Sequence, residues 1–276
     1  MRIRVVTLNV WNTQGDARRI SLINQELRAL QPDIISLQEV VQSENIRMLD
    51  EILEGLDIGS IHQVDLQRFL PPFADQYGGT AIASKWPMRP LEALDLRLAE
   101  APDVPWATLA AAVDVPNEGE MLFIAATTAW RPSAEAARER QVQAIVDLDL
   151  RHRRALPTII AGDFNADPDS SSMRFLTGRQ SLGGRSVLYH DAWDIAGEGV
   201  GFTWTSDNPN AKAGIDQIIR QPEYHRRFDY VLVGSWDGHP KAHALVHSAQ
   251  VAFDKPRDGI WLSDHFGVVA EIDVGL

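Results

Sequence analysis

The chain has 276 residues, of which 45% are hydrophobic, and this is enough to bury a large core. Its 26 basic and 38 acidic residues give a net charge of −12, a sign that opposes tight, non-specific binding to nucleic acids. The absence of cysteine excludes disulfides and thiolate metal sites. Without a repeat, a linker, a signal-peptide core or a membrane-length apolar run, the sequence predicts one domain over residues 1–276 in the cytoplasm.

The first part of the sequence alternates predicted strands and helices. One apolar strand ends at Asn9, and a second, at residues 33–37, leads to Glu39. Apolar residues at helical spacing predict helices over about residues 16–30 and 43–56. Two successive strand–helix units favour an α/β architecture, with Glu39 at the tip of a buried strand.

The middle of the sequence is richer in strands. Apolar runs bounded by Pro, Asn and Gly predict strands near residues 78–84, 90–97, 106–114 and 120–126. The Pro, Asn and Gly residues between these strands are typical of antiparallel segments. A charged helix is then expected to begin near Ser133, which is a suitable N-cap residue.

A short polar segment follows the strongest predicted strand. The apolar run 159–161 ends at Gly162, where we expect a sharp backbone exit, and Asp163 and Asn165 follow. Open α/β sheets usually place ligands at the carboxyl ends of strands. An Asp and an Asn two residues apart can bind a hard cation, orient water or hold a phosphate oxygen. The same pair taken alone is also ordinary turn chemistry.

The last part of the sequence carries further polar residues in apolar surroundings. Asp229 lies inside a predicted strand, where Asp is unfavourable, so it needs a partner. Asp264 and His265 directly precede the terminal strand. Several tryptophans also lie near these segments, and most aromatic residues are expected to pack in the core while the remainder can stack on a ligand.

Taken together, these segments resemble the endonuclease/exonuclease/phosphatase superfamily over essentially the full length. The matching segments are residues 7–9, 31–39, 162–165, 228–230 and 263–265. The resemblance implies an α/β (α+β) fold, a four-layer sandwich of two packed mixed β-sheets flanked by helices. It also implies hydrolysis of phosphate esters aided by Mg²⁺ or Mn²⁺.

The resemblance implies a metal site of oxygen ligands. Glu39 is the expected metal anchor, with help from Asp264, and Asn9 would complete the metal and phosphate shell. Carboxylate and amide oxygens suit Mg²⁺, which keeps several of its waters.

The resemblance also implies catalytic roles. Asp163 would activate or orient the attacking water, and Asn165 would contact the phosphate. His265 would bind a phosphoryl oxygen or act as base, and Asp229 would fix its tautomer. Whether Asp163 or His265 is the base stays open at this stage.

One segment departs from the family pattern. Many members carry a histidine in a Thr-His-Leu-like motif, where this chain has Thr128. Either Thr128 replaces that histidine or the motif has lost residues, and Arg131 could supply positive charge. Trp204 and Asn208 lie in a segment that borders the substrate pocket in the family.

The sequence therefore predicts a divalent-metal-dependent hydrolase, most simply a phosphodiesterase acting on a small or modest-sized organic phosphate. A DNA or RNA endonuclease of the same superfamily is the first alternative, which the net charge disfavours. A ligand-binding pseudoenzyme that keeps the metal site is the second, because the family's histidine is missing at Thr128.

Overall fold

The computed structural model describes residues 1–69, 78–99 and 107–276. Residue 106, the first of a predicted strand, lies outside these ranges. The strands are β1 (Arg2–Asn9), β2 (Ile34–Val40), β3 (Gly59–His62), β4 (Gly79–Ser84), β5 (Met88–Asp95), β6 (Ala107–Val115), β7 (Gly119–Thr127), β8 (Leu156–Asp163), β9 (Tyr189–Asp191), β10 (Trp204–Thr205), β11 (His225–Arg226), β12 (Asp229–Gly234), β13 (His243–Ala252) and β14 (Gly267–Gly275). The α-helices are α1 (Arg19–Leu30), α2 (Met48–Leu53), α3 (Glu135–His152), α4 (Ser171–Leu176), α5 (Ala192–Ala196) and α6 (Pro209–Ile218), and 3₁₀ helices cover Gln63–Phe69 and Leu96–Ala99.

In the described ranges, the strands form two six-stranded mixed sheets and one two-stranded ribbon. The first sheet has the order β13-β14-β1-β2-β4-β3, and the second has the order β5-β6-β7-β8-β12-β9. Each contains one parallel pair, β1 with β2 and β7 with β8, among antiparallel neighbours. The ribbon pairs β10 with β11. Two mixed sheets confirm the architecture expected from the sequence.

Alternating side chains build three apolar layers. Val5 of β1 and Ile159 of β8 belong to one core that lies between the sheets, whereas Val6 packs with α1 and α2 on the outside of the first sheet. Ile160 packs with α3 on the outside of the second sheet. Buried strands with apolar residues on both faces therefore produce the order helices, sheet, sheet, helices.

Within the described parts of the chain, every helix is too short or too polar to cross a membrane.

Some helices begin later than the sequence predicts. α1 begins at Arg19. α2 begins at Met48, because residues 42–47 instead form a turn closed by a bridge between Gln42 and Arg47. α3 begins at Glu135, and its N-cap position is Ala134 without a side-chain cap, so the expected cap at Ser133 is wrong.

The second sheet depends on a glycine near its site end. A Cβ atom at Gly162 would lie 1.8 Å from the backbone oxygen of Ala126, which no side chain can occupy. Gly162 therefore permits the close approach of β7 and β8, and the chain reverses only at Asn165, whose φ is 48°. The predicted backbone exit at Gly162 is thus displaced to Asn165.

Candidate active site

Two aspartates and a histidine meet at one end of the two sheets. Asp163, the last residue of β8, pairs across the sheet with Asp229, the first residue of β12. His265 Nδ1 lies 2.9 Å from Asp229 Oδ2, and His265 Nε2 lies 3.9 Å from Asp163 Oδ2. All three side chains are buried, and their ligand atoms lie within 4.8 Å of one another. This group is close enough to bind a phosphoryl oxygen or a metal ion.

Two carboxamides hold the Asp163 carboxylate. The Asn9 amide donates to Asp163 Oδ2 over 3.0 Å. Asn165 donates its backbone N–H to Oδ1 over 2.8 Å and its side-chain amide to Oδ2 over 3.1 Å. The same Asn165 amide donates to the backbone oxygen of Thr128 over 3.2 Å. These donors fix the carboxylate plane at the end of β8.

Glu39 is held in the same way at the end of β2. Asn9 donates to Glu39 Oε1 over 3.1 Å, and Asn12 donates to Oε2 over 2.8 Å. Glu39 has a φ of 58° at an irregularity between β2 and β4, so its side chain leaves the regular alternation of the strand. The Asn9 amide therefore links the carboxylates of Glu39 and Asp163 across the two sheets.

The loop before β14 is tied to β1. The Ser263 hydroxyl donates to the backbone oxygen of Asn9 over 2.6 Å and accepts the His265 N–H over 3.2 Å. The Asn208 amide donates to the backbone oxygens of Ser263 and Asp264 over 2.9 and 3.1 Å. These contacts place Asp264 and His265 beside the ends of β1 and β2.

The site carries excess negative charge, and its carboxylates are buried or half-buried. Burial raises the pKa of Glu39 to about 7, and repulsion from Asp264 adds to this effect. Burial likewise raises the pKa of Asp163 to about 6 and also raises the pKa of Asp264. Burial lowers the pKa of His265, but attraction to Asp229, Asp163 and Asp264 outweighs it and leaves that pKa well above its usual value. Together these oxygen ligands and their repulsion fit a hard divalent cation, which would relieve the unfavourable charge.

One buried acceptor of the site is unpaired within residues 1–69, 78–99 and 107–276. Asp229 Oδ1 is buried and has no hydrogen-bond partner among the described residues. The backbone N–H groups of Phe228 and Asp229 donate to the Thr203 hydroxyl over 3.0 and 3.2 Å, which fixes the start of β12. Buried polar atoms in native proteins are nearly always paired, so this oxygen is available to accept a hydrogen bond or bind a cation.

A cleft of about 940 Å³ opens above these groups. Trp204 lines it, stacks on Phe228 with ring centroids 5.8 Å apart, and meets Tyr224 edge-on at 5.8 Å. The Trp204 ring lies 6.4 Å from the His265 ring. Arg131 also lines the cleft, with its guanidinium 5.7 Å from the ring centre of Trp130. The cleft thus joins a polar floor to a partly aromatic wall.

The structure brings together most of the residues predicted from the sequence. Those that converge are Asn9, Glu39, Asp163, Asn165, Asp229, Asp264 and His265. Trp204 and Arg131 face the cleft as expected.

Two predicted substrate-binding residues do not face the cleft. Thr128 is fully buried, and its hydroxyl donates to the backbone oxygen of Phe164. Asn208 is also fully buried, where it caps α6 by accepting the Asn210 N–H and supports the loop at Asp264. Both side chains hold backbone segments in place, which corrects the interpretation that they contact substrate directly.

Sequence reasoning missed two residues that shape the site. Asn12 contacts Glu39, and Arg19 is almost completely buried behind the loop that carries Asn12. An arginine on an amphipathic helix normally indicates a solvated face, so no sequence signal distinguished Arg19. Asn12 could have been found from its position three residues after Asn9, at the end of a strand that delivers a site residue.

Comparisons with known proteins agree with this architecture. A family model described as the endonuclease/exonuclease/phosphatase family matches residues 6–265. Among solved structures, TDP2 from D. rerio complexed with a single-strand DNA product is 17% identical with a TM-score of 0.71, covering 99% of both chains. An endonuclease/exonuclease/phosphatase from Bacteroides vulgatus is 17% identical with a TM-score of 0.69, also covering 99% of both chains. No curated protein sequence matches the chain.

Proposed function

Because the chain belongs to the endonuclease/exonuclease/phosphatase family, we propose that it is a divalent-metal-dependent phosphodiesterase. Members of this family are metal-dependent phosphoesterases and nucleases. The observation that carries the proposal is the meeting of Asp163, Asp229 and His265 below an open cleft, beside Glu39.

Glu39 and Asp264, with the Asn9 side chain nearby, would hold Mg²⁺ or Mn²⁺. A bound divalent cation would neutralise phosphate charge and stabilise the charge that develops in the transition state. We assign it to Glu39 and Asp264 because hard cations prefer oxygen ligands, whereas the alternative group includes a histidine that is already hydrogen-bonded to Asp229.

The remaining side chains would act on the phosphate and on water. Asp163 would orient the attacking water and accept its proton, since Asn9 and Asn165 hold its carboxylate in one plane. His265, kept cationic by the carboxylates around it, would bind a phosphoryl oxygen through Nε2 while Asp229 holds Nδ1.

The cleft favours a substrate with more than a bare phosphate group. Its volume of about 940 Å³ lies at the upper end of the range for small-molecule sites. The Trp204 ring beside His265 would contact the group attached to the reacting phosphorus, and Arg131 would contribute positive charge. A small or modest-sized organic phosphodiester fits these surroundings.

Nucleic acid is the second candidate substrate. An aromatic wall can stack on bases, and the D. rerio TDP2 neighbour was crystallised with a single-strand DNA product. The net charge of −12 opposes long-range attraction to a polyanion. A short strand end would meet less of this repulsion than a long duplex.

Hydrolysis of a substrate panel in Mg²⁺ and in Mn²⁺ tests the proposal. The panel contains an aryl phosphodiester, an aryl phosphomonoester, a phospholipid headgroup diester, a short single-stranded oligonucleotide and plasmid DNA. We expect turnover of the aryl phosphodiester that requires metal and disappears in His265→Ala. Metal binding without turnover of any panel member would contradict the proposal and favour a ligand-binding protein.

A further inference from the structure

A buried arginine binds the loop that lines one side of the site. Arg19 is 1% exposed, although it begins a surface helix. Its guanidinium donates to five backbone oxygens, those of Val10, Trp11, Asn12, Gln14 and Leu262. Its central carbon also lies 5.6 Å from the ring centre of Trp11. One side chain therefore binds four carbonyl groups of the loop between β1 and α1 and joins that loop to the segment before Asp264.

The loop held by Arg19 has an unfavourable backbone conformation. Trp11 and Asn12 are consecutive non-glycine residues with φ of 59° and 37°. Such residues are strained and persist only where the surrounding structure holds them in place. The carbonyl groups of both residues are among those that Arg19 binds.

Asn12 carries the effect of this loop into the site. Its side chain is 8% exposed and donates to Glu39 Oε2 over 2.8 Å, while Asn9 donates to the other oxygen. Asn9 lies in β1, but Asn12 lies in the loop that Arg19 holds. The position of the second Glu39 oxygen therefore depends on the conformation of that loop.

We infer that Arg19 and Asn12 form one positioning unit for the metal-binding carboxylate of Glu39. Arg19 fixes the left-handed turn, and the turn places the Asn12 amide against Glu39. Neither residue is a ligand or a catalytic residue. The inference rests on the proposed function, because it concerns a metal site at Glu39.

Isothermal titration calorimetry of the metal-free protein with Mn²⁺ alone tests the inference. We expect Asn12→Ala to weaken Mn²⁺ binding by about 10–100-fold, the usual effect of removing a partner of a metal ligand. Arg19→Lys keeps the charge but removes the forked donor, and we expect it to weaken binding in the same direction. Both changes act on the contact between Asn12 and Glu39. The Mn²⁺ affinity of the double variant should therefore be at most about threefold lower than that of the single variant with the lower affinity.

Arg138→Lys is the matched control. Arg138 is 4% exposed and donates to the backbone oxygens of Ala129, Arg131 and Pro132, so it holds a second cleft loop by the same chemistry. That loop has no contact with Glu39 among those the structure describes. We expect Arg138→Lys to lower the melting temperature and to leave Mn²⁺ affinity within about twofold of wild type.

The outcomes separate this inference from the proposed function. Wild-type protein that binds no Mn²⁺ overturns both. If Asn12→Ala binds Mn²⁺ as tightly as wild type does, the inference is overturned and the proposed function is not. The same holds if the fold-loss of Mn²⁺ affinity in the double variant equals the product of the two single fold-losses. If Arg19→Lys does not fold, Asn12→Ala decides the question, because it leaves every carbonyl contact of Arg19 in place.

Discussion

Strand β8 carries a buried polar cluster at each end, and the two clusters differ in how their charges are balanced. Near its start, Thr158 donates to Asp149 over 2.6 Å and Tyr189 donates to the same carboxylate over 2.7 Å. Arg153 forms an ion pair with Asp149, and His239 accepts the Thr158 N–H over 3.2 Å. At the other end, Asp163 faces a second aspartate across the sheet and shares one histidine with it.

This difference separates a structural cluster from a chemical one. The Asp149 cluster pairs one carboxylate with one guanidinium and with two hydroxyl donors, which stabilises buried charge. The Asp163 cluster brings like charges together and leaves Asp229 Oδ1 buried without a hydrogen-bond partner in the described part of the chain. Such an arrangement of like charges is unfavourable in itself, and under the proposed function a bound cation would relieve it. Hydrogen-bonded carboxylates alone therefore do not identify an active site.

Asp163→Asn, in the cluster at the end of β8, should reduce activity much more than stability. We expect kcat/KM for an aryl phosphodiester to fall by about 10²–10⁴-fold, because the amide cannot accept the proton of the attacking water. The free energy of unfolding, measured in urea, should change by about 1 kcal/mol or less, since removing a buried charge opposes the loss of its attraction to His265 and of a hydrogen bond. Retained activity would remove Asp163 from the mechanism.

Asp149→Ala should produce the reverse pattern. We expect it to lower the free energy of unfolding by about 3–5 kcal/mol, because it leaves Arg153 and the hydroxyl groups of Thr158 and Tyr189 without their buried acceptor. Under conditions where circular dichroism shows the variant to be folded, its kcat/KM should stay within about twofold of wild type. Loss of activity in the folded variant would show that the two ends of β8 are coupled.

The pH dependence of stability sharpens the contrast. Glu39 has a raised pKa of about 7, so the folded protein binds more protons than the unfolded chain between about pH 4.5 and 7. The contribution of Glu39 to the free energy of unfolding is therefore present at low pH and lost as pH rises through 7. In EDTA, we expect wild-type stability in urea to fall by about 1–3 kcal/mol between pH 5 and pH 8. Glu39→Gln should show a smaller fall, and an equal fall would contradict the buried repulsion.

Thr128→His tests whether the family's missing histidine can be restored. Because Thr128 is fully buried and bonded to the Phe164 carbonyl, a larger side chain should not reach the cleft. We expect a stability loss of about 1–3 kcal/mol from overpacking and no gain in hydrolysis. Thermal unfolding and the phosphodiesterase assay measure both effects. A large gain would show that the loop can reorganise to present the histidine.

The fold and the floor of the site follow from the sequence because both depend on strand ends. Buried strands that end at or next to Asn9, Glu39 and Asp163 deliver these residues to one end of the sheets, and neighbouring strands bring these ends together. The direction of Thr128 could not be predicted, because a shift of one residue moves a side chain to the opposite face of a strand. The burial of Arg19 could not be predicted either, because it depends on carbonyl groups that the loop presents only after folding.

The most direct test of the account is one assay of the aryl phosphodiester with Mn²⁺ and with EDTA, using wild type, Asp163→Asn and Asp149→Ala side by side. The account predicts that wild type and folded Asp149→Ala turn over the substrate only with metal, while Asp163→Asn loses about 10²–10⁴-fold in kcat/KM. Equal loss in both variants, or turnover that persists in EDTA, would contradict the assignment of chemistry to the Asp163 end of β8.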